Sequence, residues 1–453
     1  MTAPTIEFVN HASVLIRHGT VGLLSDPWYF GPAFHKGWSL LIETPDAEIR
    51  EVLDRTTHIW LSHEHPDHFS VPFFRRYGDI LRERGIPVLF QRIDDRRVAD
   101  FLLGQKIAVQ EIDFKRPFAV ADGFSVTCLK DEFYDSALSI RAGDTHILNL
   151  NDCAVATRQR AEEIRRAVGT CDILLTQFSY AAWKGGPENT AWREEAARQK
   201  LDNMAVQMVV MKPRVTIPFA SFVAFSNEKN VYLNDAANTP DVVMENFRTA
   251  ESRIVPMKPG DVFDCAPDVA IDTAQTERAL AFWRAVFAQM PDMPLQKFET
   301  QDVATLEQSF TTYTRRVFTN NNATMMRLFQ RFSPIRVFQP VVIRLDDLGR
   351  TFRVDIAKPE FVETDEPADL SMHSESLWFM FTNTFGFDTL LVNGCLEEQQ
   401  TGGFAKAAKG LTIENLNNLG IAFGPGLLFH GKIIRIFFER LIAVSRRMGK
   451  GRA

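Results

Sequence analysis

Leu61-Ser62-His63-Glu64-His65-Pro66-Asp67-His68 places three imidazoles and an aspartate within six residues, directly after Ile59-Trp60. The apolar run Ile59-Trp60-Leu61 reads as the end of a buried strand, so the cluster lies on the loop leaving it. From that loop His63 and His65 can converge on one metal, while Asp67 and His68 can turn toward a second. Imidazole plus carboxylate suits zinc, iron or manganese. A lone histidine is more often structural, but four ligand-type side chains at this spacing are not explained by packing.

The spacing resembles the signature of the metallo-β-lactamase superfamily. The resemblance implies an αββα sandwich with its metals at the sheet edge, here followed by an α+β C-terminal domain. Outward from the motif, the hydrophobic pattern agrees. Ile6 to Val9, Ser13 to Arg17 and Val21 to Asp26 form an opening antiparallel meander. Asp46 to Arg55, Val71 to Arg84 and Arg97 to Leu103 read as helices alternating with the strands Pro87 to Phe90 and Ala108 to Ile112. After Phe118 strands dominate: Phe124 to Leu129, Ser136 to Arg141 and His146 to Leu150. A helix over Ala156 to Ala167, a buried strand over Asp172 to Thr176, a long helix over Asn189 to Val210 and a strand over Arg214 to Phe219 complete a second half of similar order. The first domain is expected over 1–268 and a C-terminal α+β domain over 269–453, with an amphipathic helix at Ala279 to Gln289 opening the latter.

The 453 residues are ample for two cores, and a formal charge of -6 gives no global case for nucleic-acid binding. The 37 phenylalanines point to aromatic-rich cores. Five dispersed cysteines without a Cys-x-x-Cys pair argue against a disulfide framework or a cysteine cluster. No leader is evident, and no run approaches the roughly 20 apolar residues that span a bilayer. The default location is cytoplasmic. Ile433 to Leu441, with its basic tail Arg446 to Arg452, is a candidate for peripheral membrane contact, the alternative being a docked helix with a solvated tail.

A two-metal site needs further ligands. Asp152, ending the strand Leu148-Asn149-Leu150-Asn151, is the candidate bridging carboxylate. No histidine lies between His68 and His146, so a carboxylate is expected for the His63/His65 metal, with Asp131 and Glu132 as candidates. Oxygen donors favour iron or manganese over zinc. The expected cofactor is therefore two divalent metal ions, iron before zinc or manganese.

A narrower resemblance lies in Asp26-Pro27-Trp28, Gly31-Pro32-Ala33-Phe34, Gly37-Trp38, Asp152-Cys153, Pro218-Phe219-Ala220 and Lys258-Pro259-Gly260. In order and spacing over roughly residues 8–265 these resemble the vertebrate CMP-N-acetylneuraminate hydroxylases, in the part after their Rieske domain. The resemblance implies an oxygenase. The chain has no Cys-x-His pairs for a Rieske cluster, so electrons would come from a separate ferredoxin or Rieske protein. The family's histidine before the Asp-Cys pair falls on Asp131, and its histidine after the Pro-Phe-Ala strand falls at Asn227, making Glu228 a candidate replacement ligand. His11 and Tyr134 are candidate catalytic groups with Asp67, and Trp28, Phe34, His35 and Lys36 candidate substrate contacts. Short stretches around Asp369 and Gly386 to Gly394 resemble a sterol-carrier-like module.

These observations predict a metal-dependent hydroxylase acting on a sugar-, amide- or lipid-linked small molecule. The alternatives are a dinuclear-metal hydrolase of an ester, amide or phosphodiester, and a metal-stabilised lipid-binding or scaffold protein.

Overall fold

The computed structural model describes residues 3–131, 134–268, 270–334, 336–418 and 420–429. The candidate ligand Glu132 and the basic C-terminal segment from residue 433 lie outside the described residues.

Alternating side chains build the first sheet. Ile6, Phe8, Val14, Ile16, Leu23, Trp60 and Leu89 point to one face and enter the larger core. Their neighbours Val9, Leu15, Leu24, Ile59, Val88 and Phe90 point to the other and pack with Ile49, Leu53, Phe73, Phe74 and Leu102 of the covering helices. That is the period of two expected of a sheet with both faces covered. Across its seven strands the order is Val262–Asp264, Thr5–Asn10, Ser13–His18, Val21–Ser25, His58–Trp60, Val88–Gln91 and Val109–Ile112. The opening meander is antiparallel, and the strands from Val21–Ser25 onward run parallel.

The second sheet also has seven strands, ordered Arg253–Ile254, Val215–Phe219, Ile173–Gln177, Thr145–Asn151, Ser136–Ala142, Phe124–Lys130 and Pro117–Ala121. Its central strands are apolar on both faces, because Ile164, Met204 and Met208 of the helices Arg158–Val168 and Thr190–Met211 cover the side away from the first sheet. Helices outside and two sheets within make the αββα sandwich.

The helices carry the local signals that start them. Ser70 accepts the Phe73 N–H at the head of Val71–Glu83, where Pro72 occupies the first turn. Asp272 accepts two N–H groups at the head of Thr273–Gln289. That last helix corrects the expected boundary. Its Trp283 stacks on Phe222 at 4.0 Å and donates its indole N–H to the Met257 carbonyl at 2.8 Å. Burying such a side chain contributes on the order of 2–3 kcal/mol, so the helix goes with the sandwich core. The chain divides into Met1–Lys297 and Phe298–Ala453 rather than at 268.

The second unit has a five-stranded sheet, ordered Glu360–Glu363, Arg350–Asp355, Val341–Leu345, Leu370–Met372 and Leu396–Glu398. The hairpin around Asp347-Leu348-Gly349 forms as the sequence predicts. Its first strand starts at Val341 and not at Arg336, because Arg336 and Phe338 take left-handed backbone conformations with φ of 51° and 57°. All five cysteines are buried and unpaired. Among the described residues, no helix is long and apolar enough to cross a membrane.

Candidate metal centre

Five chain segments meet at one edge of the sandwich. They are the turn at His11, the residue after Val21–Ser25, the loop 61–69, the loop before Ser136–Ala142 and the end of Thr145–Asn151. Parallel pairing sets part of this, since Ser25 registers with Trp60 and the Asp26 N–H donates to the Trp60 carbonyl at 3.0 Å. Three residues at this edge hold strained left-handed conformations: His11, Asp26 and Asn151, with φ of 35°, 36° and 51°. Strain of this kind persists where surrounding contacts enforce it, commonly at functional sites.

The side chains form three overlapping ligand groups: His63, His65 and Asp135; His63, His68 and Asp152; and His11, Asp67 and His68. His63 Nε2 lies 2.9 Å from His65 Nδ1 and 3.8 Å from Asp135 Oδ1. His68 Nε2 lies 3.2 Å from both Asp67 Oδ2 and Asp152 Oδ2. Asp67 Oδ2 is also 3.4 Å from His11 Nε2.

Asp26 organises this edge. It accepts from the Ser62 N–H at 2.8 Å, the Ser62 hydroxyl at 2.9 Å and the Asn151 amide at 2.6 Å, and its Oδ2 lies 3.2 Å from His68 Nδ1. Holding the His68 proton on Nδ1 leaves Nε2 for the cluster. The Ser62 hydroxyl gives its one proton to Asp26, so at 2.9 Å it accepts from His63 Nδ1 and likewise frees His63 Nε2.

Charge follows this arrangement. Burial, helped by neighbouring His68, lowers the His63 pKa to about 4; burial and His63 do the same to His65. Both imidazoles therefore present neutral lone pairs at physiological pH. Burial raises the Asp135 carboxyl to about 6 against the pull of His65. Burial also works to raise Asp152, but the charge and hydrogen bond of His68 overcome it and bring the carboxyl to about 2. Burial works to lower the His68 pKa, but the charges of Asp67 and Asp152 push it well up.

This donor set fits a metal pair. Asp67 Oδ1, Asp152 Oδ1 and both ring nitrogens of His11 are buried without a hydrogen-bond partner, a costly condition that a cation in the cluster relieves. His63, His65 and Asp135 would hold one ion, and Asp67 and His68 the other, with Asp152 reaching toward both.

The expected residues divide accordingly. His63, His65, Asp67, His68, Asp152 and His11 come together. Asp131 does not join them: its Oδ1 pairs with Arg160 at 2.8 Å and its Oδ2 accepts the Ala154 N–H at 2.8 Å, pinning the chain just beyond Asp152. Asp135, four residues on and past a bend, takes the place expected of Asp131. Glu228 pairs with Lys297 at 2.9 Å on the half-exposed surface and is in none of the ligand groups. The Tyr134 phenol is turned to Glu64 and Arg97, and burial raises its pKa to about 12.

The aromatic loop supplies two walls. Trp28 packs edge-on against His11 at 5.5 Å, and Phe34 against His65 at 5.6 Å. His35 and Lys36 continue that loop in left-handed conformations, and the Lys36 ammonium donates to the Lys297 carbonyl at 3.3 Å.

Sequence reasoning missed Asp26 and Asp135 beside the ligand cluster and Lys200 within electrostatic reach of Asp152. Asp26 carried a signal, a carboxylate ending the strand that pairs with the metal strand. Lys200 carried none, since it sits within a helix. Its ammonium donates to Gln177 at 2.6 Å, and burial lowers its pKa against the attraction of Asp152.

No family model matches the chain. Its sequence is 27% identical over 268 residues to a cytidine monophosphate-N-acetylneuraminic acid hydroxylase of Xenopus laevis, covering 52% of this chain and 44% of that one. For the Danio rerio protein of the same description the identity is 26% over 297 residues, covering 61% and 48%. The chain thus spans about half the length of the curated relatives it matches. Among solved structures, CmlA, a diiron β-hydroxylase from Streptomyces venezuelae, is 14% identical with a TM-score of 0.42, covering 58% of this chain and 54% of that one. The chain's first unit is an αββα sandwich, and its sequence is similar to those of cytidine monophosphate-N-acetylneuraminic acid hydroxylases.

Proposed function

We propose that the chain is a metal-dependent hydroxylase of a small molecule bearing a sugar, amide or acyl-linked group, with electrons delivered by a separate ferredoxin or Rieske protein. The observation that carries this reading is Asp135 facing His63 and His65 where a third imidazole would make a zinc-like site. A set of three histidines and three carboxylates, with His11 beside them, is hard and anionic, and it favours iron or manganese. When bound, the metal pair supplies Lewis acidity and redox chemistry toward O2.

The chain's own residues do the remaining work. Asp26 and Ser62 hold His68 and His63 in the tautomers that present Nε2. Trp28 and Phe34 shield the cluster from water and give a substrate an apolar surface to lie on. Lys200, inside electrostatic reach of Asp152, orients an anionic substituent.

The test is metal analysis of the full chain purified without added metal, with reductant- and O2-dependent turnover as second readout. Iron approaching about two per chain, with the Mössbauer signature of a coupled pair, is expected. Zinc alone, with cleavage of an ester or phosphodiester in the absence of O2 and reductant, would overturn the proposal in favour of a hydrolase. A chain that holds no metal and melts identically with and without chelator would overturn it in favour of a scaffold.

A further inference from the structure

The second unit contains a cavity of about 650 Å³, inside the range of roughly 300–1,000 Å³ typical of small-molecule sites. Five cations line it: Arg331, Arg336, Arg353, Lys406 and Lys409, against the single carboxylate Glu366. In a chain whose formal charge is -6, this is a local reversal of sign. We infer that the cavity binds a phosphate-bearing ligand, either a free phosphorylated small molecule or a phospholipid headgroup.

The cations are unequally committed, which shows where an anion is wanted. Lys406 is held at 2.7 Å by Asp369, a buried carboxylate that also accepts from the Val342 N–H and the Gln400 amide. Arg353 lies between Glu360 at 3.4 Å and Glu366 at 3.9 Å. These two are positioned by their partners and only partly neutralised. Among the described residues, Arg331, Arg336 and Lys409 have no carboxylate at ion-pairing distance; Arg331 lies over the Phe332 ring at 5.3 Å. Counting Asp369 and Glu360 together with Glu366, five cations still face three carboxylates.

The backbone holds this imbalance in place. Arg336 sits in a left-handed conformation between Ser333, whose carbonyl accepts its N–H at 3.1 Å, and Phe338, whose N–H is tied to the Lys409 carbonyl at 3.1 Å. The strained loop is thereby stitched to the helix Gly403–Leu411 that carries Lys406 and Lys409. Like charges brought together at this density repel unless an anion lies between them. A phosphate, with its several acceptor oxygens, answers both the charge and the fork-shaped donors of the arginines.

The experiment is calorimetric titration of the full chain with inorganic pyrophosphate at low ionic strength, beside co-sedimentation with phosphatidylcholine vesicles with and without phosphatidic acid. The variants are Arg336→Gln/Lys409→Gln and, as a control, Arg248→Gln in the first unit. Neither Arg336 nor Lys409 makes an ion pair among the described residues, so the double variant is expected to melt like the parent within a few degrees. Saturable pyrophosphate binding, weakened at least about tenfold in the double variant, unchanged in the control and reduced by salt, supports a free phosphorylated ligand. Co-sedimentation that requires phosphatidic acid and is lost in the double variant supports a headgroup. No saturable binding in either arm, or binding that the double variant retains at parental affinity, overturns the inference.

Discussion

His65 and His68 stand three residues apart on one loop, yet the two sides of the cluster to which they belong are held by different means. His68 has Asp26 on Nδ1, Asp67 and Asp152 on Nε2, and no solvent exposure. His63 is braced through Ser62, but the ligands it meets on the other side, His65 and Asp135, are partly exposed, and the Asp135 oxygen stands off at 3.8 Å. One side is preorganised by hydrogen bonds around an ionised core. The other consists of neutral imidazoles and a carboxyl whose pKa burial raises to about 6. The lesson is that ligand residue types alone do not describe a metal site: the groups behind them set tautomer, charge and rigidity.

Removing the residue the two sides share gives the largest expected effect. Asp152 lies 3.2 Å from His68 and forms one ligand group with His63 and His68. Asp152→Ala should lose metal from both sides, bringing content measured by elemental analysis toward zero and abolishing turnover. Retention of one full equivalent would mean the sides are independent.

Breaking the brace on one side comes next. Asp26→Asn keeps the size of the side chain but removes the anion that four donors address. Metal affinity on the His68 side should fall by about 10–100-fold, while the His65 side keeps its own. Stepwise chelator titration resolves the two. Equal weakening of both would show that Asp26 supports the whole edge rather than His68.

The smallest and most diagnostic effect separates two acids of one loop. Asp135→Ala should lower metal on the His65 side and leave thermal stability of the metal-free chain near the parental value. Asp131→Ala should keep metal content but destabilise the fold on the order of 2 kcal/mol, because Arg160 and the Ala154 N–H lose a buried acceptor. The reverse pattern would return Asp131 to the ligand set.

Much of this was legible before any coordinates. The motif at His63 to His68, the strand before it, the strand ending at Asp152 and the meander from Ile6 all follow from local pattern. The first-sheet strands show a period of two, while the buried strand of the second sheet shows as a short apolar run. The helix Thr273–Gln289 was recognised as a helix but assigned to the wrong unit, since amphipathicity says that a face is buried and not against what. Of the two candidate acids Asp131 and Glu132, the described Asp131 turns to Arg160 while Asp135 faces His63, for a related reason. All three acids lie in Lys130 to Asp135, and the order of residues in a loop does not fix the direction in which each side chain points.

By itself, then, the chain's sequence determined the sandwich, the four candidate ligands of the loop after Trp60, the candidate carboxylate Asp152 and the unpaired state of the cysteines. These depend on interactions between near neighbours or on hydrophobic alternation. Tertiary structure alone decided that Asp26 braces His68, that Asp135 faces His63, that Lys200 donates to Gln177, and that five cations of the second unit surround one cavity. Each of those contacts joins segments distant in the chain, and they form only when sheet register and helix packing bring those segments together.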